Sequence, residues 1–170
     1  VDDTIYGGGA GMLIKPDVVY DAYKSVKSEN SKVIYLSPQG QKLCQKTVES
    51  LAKEEHLILI CGHYEGVDQR IIDKIVDEEI SIGDYVLTGG ELPAMVLTDA
   101  VARMCGGVLS NEECFTEESI YSGLLEYPHY TRPAVFHGRE VPEVLLSGNH
   151  SLISDWRRQM SLKLTKERRP

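Results

Sequence analysis

Three short segments gather glycine, proline and small polar residues with few charges: Ser37-Pro38-Gln39-Gly40, Cys61-Gly62-His63-Tyr64-Glu65-Gly66, and the run from Ser81 to Gly90. Such a composition lets backbone amides and carbonyls approach a ligand closely. A single glycine among them needs no more than a turn with positive φ, but three such loops together describe a pocket. No G-x-G-x-x-G stretch and no G-x-x-x-x-G-K-[ST] stretch occurs, which excludes the usual dinucleotide and P-loop sites. Another glycine cluster, Tyr6-Gly7-Gly8-Gly9-Ala10-Gly11-Met12, resembles a phosphate cradle superficially; it lacks the lysine and follows no visible strand. A ligand reached mainly through the main chain fits an adenosine-containing cosubstrate with little negative charge.

The elements that would position these loops alternate along the chain. Lys32 to Leu36 and His56 to Cys61 are apolar, β-rich runs, and a third runs from Glu79 to Leu87 with a break at Gly83. Between and after them, apolar residues recur at helical spacing: Leu43, Val48 and Leu51 up to Lys53; Val67, Ile71, Ile72, Ile75 and Val76; and Met95, Val96, Ala100 and Met104 behind Pro93. Nearly continuous apolar strands separated by helices predict an α/β fold with a parallel sheet covered on both faces. In such a sheet ligands bind beyond the carboxyl ends of the strands, which is where the three loops fall. Gly106-Gly107 stops the last helix. Ser110 to Ser122, with Glu112, Glu113, Glu117 and Glu118, reads as an exposed linker. A smaller, mostly helical unit follows, with a helix from about Leu152 through Met160.

Composition bounds the function. The chain has 170 residues, 42% apolar and 26% charged, ordinary for a globular protein. Eighteen basic against 26 acidic residues give a net charge of −8, which argues against a general polyanion binder. The balance is uneven, because Trp156 to Pro170 holds six bases and one acid, leaving 12 bases and 25 acids elsewhere. Cys44, Cys61, Cys105 and Cys114 lack C-x-x-C spacing, and the five histidines form no ligand pattern, so no structural metal is expected. No apolar run reaches the roughly 20 residues that span a bilayer, and no membrane partner is expected.

Val1-Asp2-Asp3, Tyr6-Gly7-Gly8-Gly9-x-Gly11-Met12, Tyr35 to Gly40, Cys61-Gly62-x-Tyr64-Glu65-Gly66-Val67-Asp68, Ser81 to Ala94, Pro128 to Pro133 and Leu145 to His150 follow one another in an order that resembles the TrmD family of bacterial tRNA (guanine-N1)-methyltransferases, of the SPOUT class. The likeness covers essentially the whole chain. It implies a deep trefoil knot and S-adenosyl-L-methionine as cosubstrate, held by Tyr35, Leu36, Ser37, Pro38, Gly62, Tyr64, Glu65, Ile82, Gly83, Asp84, Tyr85, Val86, Leu87, Gly89, Gly90 and Pro93. It implies a SPOUT core at 1–109, a linker at 110–122 and a C-terminal tRNA-binding domain at 123–170. It also implies a homodimer in which one knot meets the linker of the other chain; a cytoplasmic location is expected from the cysteine usage and the signal-free sequence. The target would be guanine 37 of tRNA, with Asp2, Gly8, Gly9, Gly11, Met12, His129 and Arg132 toward the substrate. Magnesium dependence is expected from the family, with no ligand assignable. The family has a strand before Val1 and continues past Pro170, so a chain shortened at both ends is expected.

Guanine N1 is protonated at neutral pH, so methylation needs a general base and a cation to stabilise charge developing toward O6. Matching by order places these at Glu118 and Arg103. The family usually has aspartate at the first position; glutamate keeps the chemistry and shifts its reach by more than about 1 Å, enough to matter for rate. Glu117 could substitute. His63, where many relatives have arginine, is a second departure. Arg103 also fits a helix C-terminal cation, and Glu118 a solvated linker charge. His129, Tyr130 and Trp156 could be stacking surfaces for RNA, although a core role is the more usual one for such a tryptophan. The alternatives to this activity are a non-catalytic S-adenosylmethionine or RNA-binding module, and a SPOUT methyltransferase with another RNA target.

Overall fold

The apolar run after Ser31 forms the middle of a sheet because it is apolar on both faces. In a computed structural model, which describes residues 1–108 and 123–169, β3 (Ser31–Lys42) lies between β4 (His56–Cys61) and β5 (Glu78–Ser81), parallel to both. Ile34 and Leu36 face one side, where they pack with Ile80 against Leu51 of α2 (Gln45–Leu51) and Leu97 of α4 (Glu91–Ala102). Tyr35 faces the other, with Val67 and Ile71, and Val19 and Tyr20 of α1 (Pro16–Val26) beside them. The period-two alternation of a strand thus feeds two helical layers.

The third strand stops at Ser81 rather than running on to Leu87. Leu36 and Gln41 both pair with Ile80, so residues 37–40 loop out of β3 as a wide bulge. Gly40 presses on the Glu79 backbone so closely that no Cβ would fit. The strand resumes after it, and the Leu43 amide donates to the Ser81 carbonyl at 2.8 Å. The Ser-Pro-Gln-Gly segment therefore interrupts the strand without ending it.

The glycine cluster does follow a strand. β1 (Asp2–Thr4) and β2 (Met12–Ile14) pair antiparallel around it. β2 is fastened to the loop after β4: the Glu65 amide donates to Met12 O and the Ile14 amide to Gly66 O, each at 3.0 Å. α1 answers to a readable signal, with Pro16 in its first turn, Asp17 beside it, Lys24 in the last turn and Val19, Tyr20 and Tyr23 on one stripe.

Asp68 caps α3 (Gln69–Ile75); its carboxylate accepts from the Arg70 amide at 2.9 Å and pairs with the Arg70 guanidinium at 2.7 Å. Hydrogen bonds from Arg70 hold the Asp68 carboxyl below the usual carboxylate range. Asp68→Ala is expected to cost about 1 kcal/mol, read as a lower urea midpoint at pH 7. Because the folded value is lowered, this contribution is complete above about pH 4 and lost as pH falls through the folded value. Equal midpoints at pH 7 would show that the cap contributes nothing.

The chain divides into Val1–Val108 and Leu109–Pro170; the expected linker at 110–122 lies outside the described residues. In the second unit, a short hairpin of β6 (Val135–Phe136) and β7 (Arg139–Glu140) precedes α5 (Glu143–Leu146) and α6 (His150–Arg168). Asn149 caps α6 by accepting from the Leu152 amide at 3.3 Å. α6 runs past the expected Met160 because no glycine or proline intervenes before Pro170. Its inner stripe continues through the buried Ser161 and the half-buried Leu164 and Thr165. The Thr165 hydroxyl accepts from the Leu125 amide at 2.8 Å, tying the start of this unit to the helix.

Candidate functional site

The loops at the carboxyl ends of β3 and β4 and the run after β5 enclose a cavity of about 560 Å³, within the usual size of a small-molecule site. Tyr35, Leu36, Ser37 and Pro38 contribute one wall, Gly62, Tyr64 and Glu65 a second, and Ile82, Gly83, Tyr85, Val86, Leu87, Gly89, Gly90 and Pro93 a third. Asp84 does not line it; its carboxylate pairs with Lys42 instead. Gln39, His63, Glu79 and Thr88 also face the space. The register of β5 is what turns Glu79 toward it, and sequence alternation alone does not fix that direction.

Close backbone packing holds the walls together. The Gly90 amide donates to Gly62 O at 2.9 Å, and a Cβ on Gly90 would lie 2.7 Å from Cys61 Cα. The Tyr35 hydroxyl sits where a Cβ on Gly62 or Gly66 would come, at 2.8 and 2.9 Å. Burial pushes the Tyr35 phenol above its ordinary value, the Val67 backbone partly offsets this, and the charge of Glu79 adds to it. Tyr35 is therefore a neutral hydroxyl at neutral pH. Among the described residues the lining includes the carboxylates Glu65 and Glu79 and no lysine or arginine.

The hairpin glycines adjoin this cavity through Glu65. A Cβ on Gly11, which has φ +91°, would run into the Glu65 side chain. Gly8 and Gly9 also adopt positive φ and stand in open space. Asp2 and Met12 lie on the two strands below them.

Arg103 closes α4, its amide donating to Asp99 O at 3.1 Å. It stands ten residues beyond Pro93, about 15 Å along the helix, and does not line the cavity of its own chain. Glu118 and Glu117 lie outside the described residues.

In the second unit, His129 and Arg132 are exposed. His129 Nε2 is 2.8 Å from the Glu126 carboxylate, and Arg157 lies over the Tyr127 ring at 4.8 Å. Trp156 is half-buried, 6.3 Å from the Tyr130 ring. It is neither a fully buried core residue nor an open plate.

A family model for tRNA (Guanine-1)-methyltransferase TrmD matches residues 1–170. The chain belongs to the TrmD family. Among curated TrmD relatives, the protein of Alkaliphilus oremlandii is 61% identical over 178 aligned positions, covering all of this chain and 72% of its own length. Those of Ruminiclostridium cellulolyticum and Clostridioides difficile are 60% and 56% identical; the matches cover 100% and 99% of this chain and 74% and 75% of theirs. All three are named tRNA (guanine-N(1)-)-methyltransferase. This TrmD-family chain carries a mixed α/β fold with a three-stranded parallel sheet, and no described helix is long and apolar enough to cross a membrane.

Proposed function

We propose that the chain methylates N1 of guanine 37 in tRNA with S-adenosyl-L-methionine as donor. The observation that carries this reading is the charge of the cavity wall. A sulfonium is a fixed cation and the cosubstrate bears no phosphate, which suits Glu65 and Glu79 in a lining without lysine or arginine among the described residues. A nucleoside polyphosphate would meet two carboxylates and no lysine or arginine among the described residues. The apolar walls from Leu36, Pro38, Ile82 and Leu87 suit a nucleoside, and glycines 62, 89 and 90 bring backbone within reach. When bound, the cosubstrate supplies an electrophilic methyl carbon.

The chain must remove a proton from N1 and hold charge on O6. Glu118 is the proposed proton acceptor and Arg103 the proposed cation. Arg103 stands away from its own cavity, and Val86, Leu92 and Met95 leave apolar surface open, with Val86 81% exposed. Both features support a homodimer in which Arg103 and Glu118 serve the partner's cavity. Asp2 and the Gly8 to Met12 loop would approach the extruded base, whose release from a loop costs less than from a duplex. His129, Arg132 and the basic residues of α6 would meet phosphates. The core at 1–109, linker at 110–122 and tRNA-binding domain at 123–170 divide this work.

We also propose that the loops around the cavity form the deep trefoil knot of SPOUT enzymes. The Gly90 to Gly62 hydrogen bond, which returns the chain after β5 onto the loop after β4, supports this. The proposed location is the cytoplasm. Magnesium dependence belongs to the same proposal; among the described residues no three side chains of ligand type converge, and no ligand is assigned.

The test is nucleoside mass spectrometry of tRNA transcripts carrying guanine or adenine at position 37. Formation of 1-methylguanosine only on the guanine transcript is expected. A methyl group at another atom or position would overturn the reaction assigned.

A further inference from the structure

We infer that His63 and Glu91 form a proton-dependent clasp that positions the Gly89-Gly90 wall of the cavity, an inference that rests on the cosubstrate reading above. His63 sits in the loop after β4 and pairs with Gly89 as an isolated antiparallel bridge. Its carbonyl accepts from the Gly66 amide at 2.9 Å, so the loop holds its backbone firmly. Its Nδ1 lies 3.9 Å from the Glu91 carboxylate in the first turn of α4. The two side chains meet across Gly89. A Cβ there would lie 2.5 Å from His63 Nδ1 and would run into the Glu91 carboxylate. The pair can close because residue 89 has no side chain.

At 3.9 Å the contact is too long for a hydrogen bond, so its strength depends on charge. An imidazole ordinarily changes charge near pH ~6.5, while Glu91 supplies the negative partner. The other titratable groups around it do not compete. Tyr64 presents a ring edge with centroids 5.2 Å apart. The Cys61 thiol is pushed up by burial and by Glu91, and stays neutral. Glu65 is packed against Gly11, and Asp84 is engaged with Lys42. Protonated His63 is thus drawn to Glu91 and tightens the segment that Gly90 ties to Gly62. Neutral His63 releases it. The side chains of His63 and Glu91 are 48% and 65% exposed, so solvent screening keeps the effect small.

Calorimetry of S-adenosylmethionine binding at pH 5.5 and 7.5 tests the clasp. Relative to His63→Arg, which keeps its charge at both values, the wild type is expected to weaken about two- to fivefold on going to pH 7.5. His63→Gln and Glu91→Gln are expected to bind weakly at both and to lose this difference. In the ligand-free protein, the Gly89 amide resonance is expected to shift between the two pH values in the wild type, by less in Glu91→Gln, and not in His63→Arg. The same pH response in wild type, His63→Arg and Glu91→Gln would overturn the clasp while leaving the cosubstrate reading intact. Absence of binding by the wild type at either pH would overturn the cosubstrate reading, and the positioning role with it.

Discussion

Glu118→Gln is expected to lower kcat for methyl transfer to guanine-37 tRNA by about 10²- to 10⁴-fold, with the affinity for S-adenosylmethionine unchanged. Glutamine has nearly the shape of glutamate but cannot take up the N1 proton. The loss therefore reads base chemistry rather than binding. Glu117→Gln is the matched control, since it removes a neighbouring carboxylate from the same run; it should change kcat less than about twofold if Glu118 is the base. A single-turnover measurement with saturating tRNA keeps product release out of the comparison. Undiminished turnover in Glu118→Gln would withdraw the assignment. Loss on Glu117→Gln instead would move it by one residue.

The second large effect is expected from Gly90→Ala. Gly90 has φ −83°, an ordinary value for alanine, so no backbone strain enters the comparison. The added methyl instead meets backbone: Cys61 Cα at 2.7 Å and Gly62 N at 3.1 Å. No rotamer change can relieve such a contact, and the 2.9 Å bond from the Gly90 amide to Gly62 O must lengthen. Two cavity walls then separate. Overpacking of this kind costs roughly 1–3 kcal/mol, and cosubstrate affinity is expected to fall about 10- to 100-fold. Gly106→Ala is the control, because a Cβ there meets nothing. Retained affinity in Gly90→Ala would show that the Gly62-Gly90 contact does not shape the site.

Much of this site was legible from residue types. The apolar runs at Lys32 and His56 gave a parallel sheet with helices on both faces, and the carboxyl-end rule then located the walls of the cavity. What escaped depends on register or on short elements. β1 and β2 have three residues each, too few to show alternation. The third strand ended early because Ile82 and Tyr85 to Leu87, apolar as strand residues are, line a cavity instead of a ladder. Glu79 read as a strand residue until pairing with Tyr35 fixed its neighbours. Asp84, grouped with the walls by its place in the run, is held by Lys42. His63 and Glu91 are far apart in sequence, and only the bridge to Gly89 brings them together. α1 was also missing from the expected elements, although Pro16 and its tyrosine stripe carry a signal that needs no tertiary information.

Glu65 belongs to two surfaces at once. It lines the cavity and also fills the space that Gly11 leaves under the glycine hairpin. A molecule that displaces this side chain from one surface must displace it from the other. Occupancy on the two sides is consequently linked, and whatever factor one ligand imposes on the second is returned in equal measure. Gly11 thus makes the hairpin and the cavity share one side chain, with neither side taking precedence.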